Sequence, residues 1–279
     1  MNKNQNIYVW DTQEAAEKWV QKKNERDRLL GTVTMHMIEQ AKLRLDDHVL
    51  DIGAGTGDQT LLAAKSVGAQ GKVTAIDISQ SMISVVNQVM KSENVSNVET
   101  MVIDVAKLDV PEETFDAMIA RMSLMFVDEL EETLTKLYQI LKGGRTLSAL
   151  VWSKAEANPW IAPIMQVLRP EAVLDPLGRP GLFSLSEPDH VQRQFQLAGW
   201  EEIQIQKLSI TQEYSSAESY VLNHIQTSSG PTAVAWAELN DQEQQNALKK
   251  LIEIYQQYET SAKLSLPGEV LLIVASKHG

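Results

Sequence analysis

The stretch VLDIGAGTGDQT, residues 49–60, decides the fold of this chain. It opens on a short, largely apolar run that is typical of a buried strand, and Gly53, Gly55 and Gly57 follow at once. Glycines at a strand-to-helix turn let a bound molecule approach the backbone closely. The stretch therefore predicts a strand, a ligand-binding loop and the first turn of a helix.

The residue after the glycines bears on the kind of ligand. A dinucleotide fingerprint, G-x-G-x-x-G/A, has a small neutral residue at its sixth position, beside a pyrophosphate. Counted from Gly53, the sixth residue here is Asp58. Its carboxylate would repel a pyrophosphate, which argues against NAD. Asp51 adds negative charge just before the glycines, and this charge suits a ligand that carries an ammonium and a sulfonium group but no phosphate.

Two further acids end the next two predicted strands. Asp77 ends VTAID and lies 77 − 57 = 20 positions after Gly57, close to the ~20 expected of an acid that binds ribose hydroxyls. Asp104 ends VETMVID. There its carboxylate can accept a hydrogen bond from the exocyclic amine of adenine, while the Val105 amide donates a hydrogen bond to the adenine ring. With the glycine loop, these acids predict a nucleoside site.

Strands and helices alternate from Val49 to Trp152, and this alternation predicts βαβ units with five parallel strands. Two more strands, EEIQIQKLSI and a final antiparallel VLLIVASK, complete a doubly wound, seven-stranded α/β sheet. We predict a right-handed, Rossmann-like arrangement with a helical lid. Three regions are expected: a helical leader over 1–44 with a helix at 12–43, a cofactor-binding core over 45–152, and a Pro-rich insertion, helical lid and last two strands over 153–279.

The VLDIGAGTG loop, Asp77, Asp104, FDAMIARMSLMF and ILKGGR stand in the order found in class I S-adenosylmethionine-dependent methyltransferases, and residues 49–152 resemble that family. AGTGDQT is particularly similar to the subgroup that includes the ubiquinone/menaquinone C-methyltransferases. The resemblance implies an enzyme with S-adenosyl-L-methionine as its cofactor. The cofactor-binding positions that it implies are Asp51, Gly53, Ala54, Gly55, Thr60, Asp77, Ile78, Met82, Asp104, Val105 and Arg121. Arg121 departs from the small or polar residue that the family pattern has there.

Aromatic, methionine and histidine side chains outside the loop are candidates for the acceptor site. Methionine shapes adaptable apolar pockets, and aromatic rings stack on planar molecules. An imidazole titrates near neutral pH, so His190 and His224 are candidate general bases. Core packing or a structural role is the alternative for each of these residues. The predicted substrate-binding residues are Tyr8, Trp19, Met122, Met125, Phe126, Trp152 and Trp160.

Charge and composition narrow the acceptor. The net charge is 25 − 37 = −12 and no basic cluster is present, which argues against nucleic acid as a partner. We expect a small, largely apolar metabolite, aromatic or carboxylic, that is methylated at oxygen. Two alternatives stay open: carbon methylation of a quinol-type or polyketide-like acceptor, and a non-catalytic S-adenosylmethionine sensor.

The 279 residues include no cysteine, which excludes disulfides, thiolate nucleophiles and Cys-ligated zinc. The resemblance also bears on metal binding. The magnesium-dependent, catechol-type methyltransferases of this family need an acidic residue at the position of Arg121, so we expect no metal. No apolar run reaches the ~20 residues of a membrane span or the length of a signal peptide. We expect a soluble, cytoplasmic protein, and the oligomeric state stays open.

Overall fold

The computed structural model describes residues 11–171, 179–228 and 231–279. Among them, seven strands form one sheet in the order β3-β2-β1-β4-β5-β7-β6. The predicted acceptor residue Tyr8 lies outside the described residues. The strands are β1 (His48–Ile52), β2 (Lys72–Asp77), β3 (Val98–Val102), β4 (Phe115–Arg121), β5 (Leu141–Trp152), β6 (Glu201–Tyr214) and β7 (Leu264–Ser276).

The sheet is doubly wound, and its strand order reverses between β1 and β4. Strands β1 to β5 pair in parallel, while β7 lies antiparallel between β5 and β6. The predicted seven-stranded Rossmann-like sheet with a final antiparallel strand is confirmed. In such sheets, ligands bind outside the carboxyl ends of the strands at the point where the order reverses. The glycine loop, which follows β1, therefore lies at the centre of the carboxyl edge of the sheet.

The helices flank the sheet or lie above its carboxyl edge. Predicted as one helix over 12–43, the leader is two helices that meet at Lys22. Thr12 caps the first of them by accepting from the Ala15 amide. The helices are α1 (Gln13–Gln21), α2 (Lys23–Gln40), α3 (Asp58–Val67), α4 (Gln80–Ser92), α5 (Leu130–Ile140), α6 (Ala162–Leu168), α7 (Pro188–Leu197), α8 (Ala217–Thr227), α9 (Pro231–Ala237) and α10 (Asp241–Gln256).

The last two strands are longer than their apolar cores predict. They pair from Gln204 with Val274 out to Tyr214 with Leu264, so β7 begins six residues before the predicted Val270. At its amino-terminal end, β5 includes Lys142, Gly143 and Gly144, where the pairing with β4 shifts in register. Backbone pairing therefore extends both elements beyond what side-chain pattern alone indicates.

Central strands are buried on both faces, as parallel strands covered by helices must be. Val49, Leu50 and Ile119 are fully buried, whereas the edge strand β6 alternates between exposed and partly buried positions. The continuous apolar run of β1 is thus a consequence of its central place. Within the described residues, no helix combines the length and apolar character needed to cross a membrane.

Candidate functional site

The glycine loop is shaped by the segment that follows β4. Gly53 has a positive φ of 72°, and a Cβ added there would lie 2.4 Å from the Cβ of Ser123. The Ser123 hydroxyl donates to the Ile52 carbonyl at 2.6 Å. Only glycine allows this close approach. Sequence reasoning missed Ser123, because its partner lies 123 − 52 = 71 residues away.

Gly55 and Asp77 come together at the carboxyl ends of β1 and β2. The Gly55 amide donates to Asp77 Oδ2 at 2.9 Å, and the Ser79 amide donates to Oδ1 at 2.9 Å. Burial raises the pKa of Asp77, and the backbone hydrogen bonds oppose that rise. A Cβ added at Gly55 would meet no atom within 4 Å. Space for a ligand therefore lies in front of Gly55, beside the Asp77 carboxylate.

Asp51 is fully buried beneath the loop. Thr60 Oγ1 donates to Asp51 Oδ2 at 2.6 Å, and Gln59 Nε2 donates to Oδ1 at 3.0 Å. Burial raises the pKa of Asp51 to about 6 against these two hydrogen bonds. Asp51 thus fixes the start of α3 rather than facing solvent. The sequence reading included Thr60 and missed Gln59, whose side-chain oxygen is buried with no hydrogen-bond partner in the described part of the chain.

The remaining predicted cofactor residues lie along the same edge. Asp104 follows β3 by two residues, and its carboxylate accepts from the Ala106 amide at 3.0 Å. The Ile103 amide donates to the Asp77 carbonyl at 2.9 Å, which sets the ends of β2 and β3 side by side. Val105 is buried, and Ile78 is 38% exposed at the rim. Met82 and Ala54 are buried in the packing of α4 and the loop.

Asp58, the first residue of α3, is held between two arginines. Arg26 Nη2 and Arg121 Nη2 lie 2.9 Å and 3.0 Å from its Oδ2, and all three side chains are almost fully buried. Burial acts to raise the pKa of Asp58, but the two guanidinium groups outweigh it and hold that pKa below its ordinary value. Arg26 also donates to Thr56 Oγ1 at 2.7 Å.

This cluster revises one step of the sequence reasoning. Asp58 was expected to repel a pyrophosphate, yet Arg26 and Arg121 both pair with its carboxylate, so its negative charge is compensated within the cluster. Asp58 by itself therefore gives no argument against NAD, whereas the carboxylates of Asp51 and Asp77 remain at the loop. The departure at Arg121 has a structural account, because its guanidinium binds Asp58 and also donates to Thr34 at 3.3 Å. Sequence reasoning missed Arg26 altogether.

Predicted acceptor residues divide into two groups. Trp152, the last residue of β5, packs its ring 4.7 Å from that of Trp160, and the Tyr220 hydroxyl donates to the Trp160 carbonyl. On the other side of the edge, Trp19 carries the Arg26 guanidinium 5.0 Å above its ring. The structure thus connects the end of β5 with helix α8, and the leader with the glycine loop.

The segment after β4 contains the other three predicted acceptor residues that the structure describes. Met122 adopts a positive φ of 55°, which is rare for a large side chain and is typical of functional turns. Met125 is buried and its carbonyl accepts from Gly181 and Ser184, whereas Phe126 is 42% exposed. Met125 therefore anchors the insertion, and Met122 and Phe126 are more accessible.

The two candidate bases lie on different helices with different neighbours. His224 on α8 lies with its ring 5.7 Å from that of Tyr220. Burial first, and the charge of Lys22 second, lower the pKa of His224 to about 3. His190 is in the first turn of α7, a helix that packs against α5 and β6, and burial followed by Arg193 lowers its pKa. Of the two, His224 is the one connected to the predicted acceptor residue Trp160, through Tyr220, and its low pKa leaves it neutral at pH 7.

A comparison with known proteins agrees with this geometry. Residues 49–144 match the family described as a methyltransferase domain. In its sheet order, its glycine loop and the acids at its strand ends, this part of the chain resembles the class I methyltransferase family and, within it, the ubiquinone/menaquinone C-methyltransferase subgroup.

The chain is similar to the ubiquinone/menaquinone biosynthesis C-methyltransferase UbiE of Marinomonas sp., with 34% identity over 124 residues, 44% of this chain and 49% of that protein. It is also 34% identical over 118 residues to the demethylmenaquinone methyltransferase of Symbiobacterium thermophilum, across 42% of this chain and 47% of that protein. The chain thus matches about half the length of these relatives. The YcgJ protein of Bacillus subtilis has a similar fold, with a TM-score of 0.59 and 17% sequence identity. The match covers 88% of this chain and 98% of the YcgJ chain.

Proposed function

We propose that this protein is an S-adenosyl-L-methionine-dependent methyltransferase that methylates a small, largely apolar acceptor, aromatic or carboxylic, at oxygen. The observation that carries the proposal is the juxtaposition of the open side of Gly55 with the Asp77 carboxylate, 2.9 Å from the Gly55 amide. Gly55 and Asp77 both lie inside the segment, residues 49–144, that matches a methyltransferase domain. Asp104 extends the same edge toward β3.

The chemistry of these residues fits the cofactor. Asp77 accepts backbone hydrogen bonds from Ser79, Gly55 and Ile78, and a carboxylate has about four acceptor positions in all, so acceptor capacity is left for a ribose hydroxyl. Asp104 and the Val105 amide would bind the adenine. The guanidinium groups of Arg26 and Arg121 suit the carboxylate of the methionine moiety. We place the cofactor along this edge, with Gly53 and Gly55 against it.

When bound, the cofactor supplies an electrophilic methyl group on a sulfonium sulfur. The chain contributes position and exclusion of water, because holding an acceptor in line at contact distance removes much of the barrier of a displacement. Met122 follows the strand next to the glycine loop, and Trp152 and Trp160 form an apolar wall at the end of β5. His224, with a pKa of about 3, is a weak proton acceptor at pH 7. This weakness favours an acceptor oxygen that is already deprotonated.

Carbon methylation of a quinol is the second candidate, and the names of the similar proteins from Marinomonas and Symbiobacterium favour it. A quinol carbon becomes nucleophilic as its hydroxyl loses a proton, so this reaction would need a proton acceptor near the ring. His224 is the histidine nearest the predicted aromatic wall, through Tyr220. The two candidates therefore differ in whether His224 is needed as a base.

Two measurements test the proposal. Calorimetry should show binding of S-adenosylhomocysteine and no binding of NADH, and the reverse result would refute it. A cell extract incubated with carbon-13 methyl-labelled cofactor and the protein should then yield a labelled small molecule. The carbon-13 chemical shift of its methyl group separates methylation at oxygen from methylation at carbon. Label found only in protein or RNA would overturn the small-molecule acceptor.

A further inference from the structure

Asp11, in the leader just before helix α1, contacts the first turn of α4 next to Asp77. The Ser79 hydroxyl donates to Asp11 Oδ1 at 3.0 Å, and the Ser81 amide approaches the same oxygen at 3.4 Å. The Ser79 amide in turn donates to Asp77 Oδ1 at 2.9 Å. Ser79 therefore holds two carboxylates side by side at the carboxyl end of β2.

Asp11 keeps acceptor capacity after these contacts. Both contacts are made by Oδ1, and Oδ2 has no hydrogen-bond or ion-pair partner within residues 11–171, 179–228 and 231–279. A carboxylate has about four acceptor positions, so the two contacts leave roughly half of them unused. Because Asp11 is also exposed, its carboxylate is able to accept from a bound molecule.

Asp77, in contrast, has little acceptor capacity left. The backbone amides of Ser79, Gly55 and Ile78 donate to its carboxylate, which leaves about one of its four acceptor positions. A ribose presents two adjacent hydroxyl donors. The second hydroxyl needs another acceptor, and Asp11 is the carboxylate that shares Ser79 with Asp77.

The surroundings of this pair favour hydroxyl donors. Burial raises the pKa of Asp77, the backbone hydrogen bonds oppose that rise, and the like charge of Asp11 adds to it. Donors placed between the two carboxylates therefore stabilise both charges. The N-terminus of α4, a helix of 13 residues, favours the negative charge of Asp11. Open space lies on the Gly55 side of Asp77, because a Cβ added at Gly55 would meet no atom within 4 Å.

We propose that Asp11 accepts from one hydroxyl of the cofactor ribose while Asp77 accepts from the other. The inference rests on the proposed function, because it assigns a further residue to the cofactor site of that function. Each hydroxyl then donates to a charged acceptor, which is a stronger bond than one to a neutral group. The leader thereby contributes a binding residue to the nucleoside site, in addition to the Arg26 contact with the glycine loop.

The test compares S-adenosylhomocysteine with its 2′-deoxy and 3′-deoxy forms by calorimetry on the full chain. The wild type should bind each deoxy form about 10-fold more weakly, the size of one lost hydrogen bond to a charged group. Asp11→Ala should bind one deoxy form as tightly as it binds S-adenosylhomocysteine, and it should keep the 10-fold penalty for the other. Asp77→Asn should show the opposite assignment of the two penalties.

The control variant is Glu14→Ala, which removes an exposed acid from the first turn of α1 and should keep both penalties. Two results would overturn the inference. Both penalties could persist in Asp11→Ala and disappear in Asp77→Asn, in which case Asp77 alone binds the two hydroxyls. Asp11→Ala could instead weaken all three ligands by one common factor, in which case Asp11 serves only the N-terminus of α4. Failure of the wild type to bind S-adenosylhomocysteine would refute the proposed function itself.

Discussion

Arg26 Nη2 lies 2.9 Å from the Asp58 carboxylate and joins the leader helix α2 to the first residue of α3. The two residues are 58 − 26 = 32 positions apart, and both side chains are almost fully buried. Because Arg26 also donates to Thr56, the leader forms one wall of the glycine loop. A helix before the core thus helps to set the shape of the candidate cofactor site.

Replacement of Arg26 by methionine should lower the free energy of unfolding by about 2–3 kcal/mol. Loss of one partner of a buried ion pair costs ~3–5 kcal/mol, and Arg121, 3.0 Å from the same oxygen, reduces that loss. Urea unfolding measures the change. Lys65→Met serves as the control, since Lys65 makes a solvent-exposed pair with Glu93 and should leave the free energy of unfolding nearly unchanged. Equal changes in the free energy of unfolding for the two variants would show that the buried cluster stabilises the fold no more than an exposed ion pair does.

Asp51→Asn should stabilise the ligand-free protein at neutral pH. Burial raises the pKa of Asp51 from 3.8 to about 6, so the folded protein holds this proton over a range in which the unfolded chain has released it. The contribution of Asp51 to stability therefore falls as the pH rises from about 4 to about 6, and it remains unfavourable above that by roughly 3 kcal/mol.

Urea unfolding at two pH values checks this sign. At pH 7.5, Asp51→Asn should exceed the wild type by as much as about 3 kcal/mol, while at pH 4 the two should nearly coincide. The exposed Asp109 provides a control, Asp109→Asn, that should change neither value. An equal gain in stability at both pH values would contradict the explanation. At pH 4 the Asp51 side chain is already uncharged, so replacing it with asparagine removes no buried charge.

The parts of the site that local sequence predicts are those that lie at strand ends. Asp77 and Gly55 meet because parallel strands end at one edge, and both the apolar run of β1 and the spacing to Asp77 are visible in the sequence. Arg26 carries no such signal. Its partner depends on how α2 packs across the edge, which a pattern of charges along one helix does not specify.

Asp58 illustrates the same limit for chemistry. Its position after the glycines is evident in the sequence, but its charge state and neighbours are not. The two arginines that surround it come from 32 residues before and 63 residues after it. Ser123 and Gln59 are similar cases, because each is defined by a contact and not by a motif.

Gly53→Ala and Gly55→Ala should separate the structural from the ligand-facing role of the loop. Both positions have a positive φ, of 72° and 56°, which costs a residue with a Cβ about 1–2 kcal/mol. Gly53→Ala adds a contact of 2.4 Å with Ser123 and should destabilise the fold further. Gly55→Ala meets no atom within 4 Å and should fold.

Affinity for S-adenosylhomocysteine distinguishes the two variants. Gly55→Ala places a methyl group in the space where the ligand is proposed to lie, so its dissociation constant should rise at least 10-fold while the melting temperature drops only modestly. If Gly55→Ala bound S-adenosylhomocysteine as tightly as the wild type, the proposed placement of the cofactor against Gly55 would be wrong.

Asp77→Asn tests the proposed ribose contact most directly. The Asp77 carboxylate accepts from Gly55 and Ser79 on its two oxygens, and a side-chain amide presents a donor to one of these partners. Affinity for S-adenosylhomocysteine should fall about 10-fold to 100-fold, the size of a lost hydrogen bond to a charged group. Folding stability should fall less, because removal of the charge relieves the burial that raises the Asp77 pKa.

A second ligand pair shows whether the lost affinity belongs to the ribose. The wild type should bind adenosine more tightly than 2′,3′-dideoxyadenosine, because only adenosine offers hydroxyl donors to the carboxylate. Asp77→Asn should reduce that difference to a small fraction, while Asp109→Asn, an exposed control, should preserve it. Calorimetry of the four variant and ligand combinations gives the coupling between Asp77 and the hydroxyls. A coupling near zero would place the ribose elsewhere along the edge and leave Asp77 with only its bonds to backbone amides.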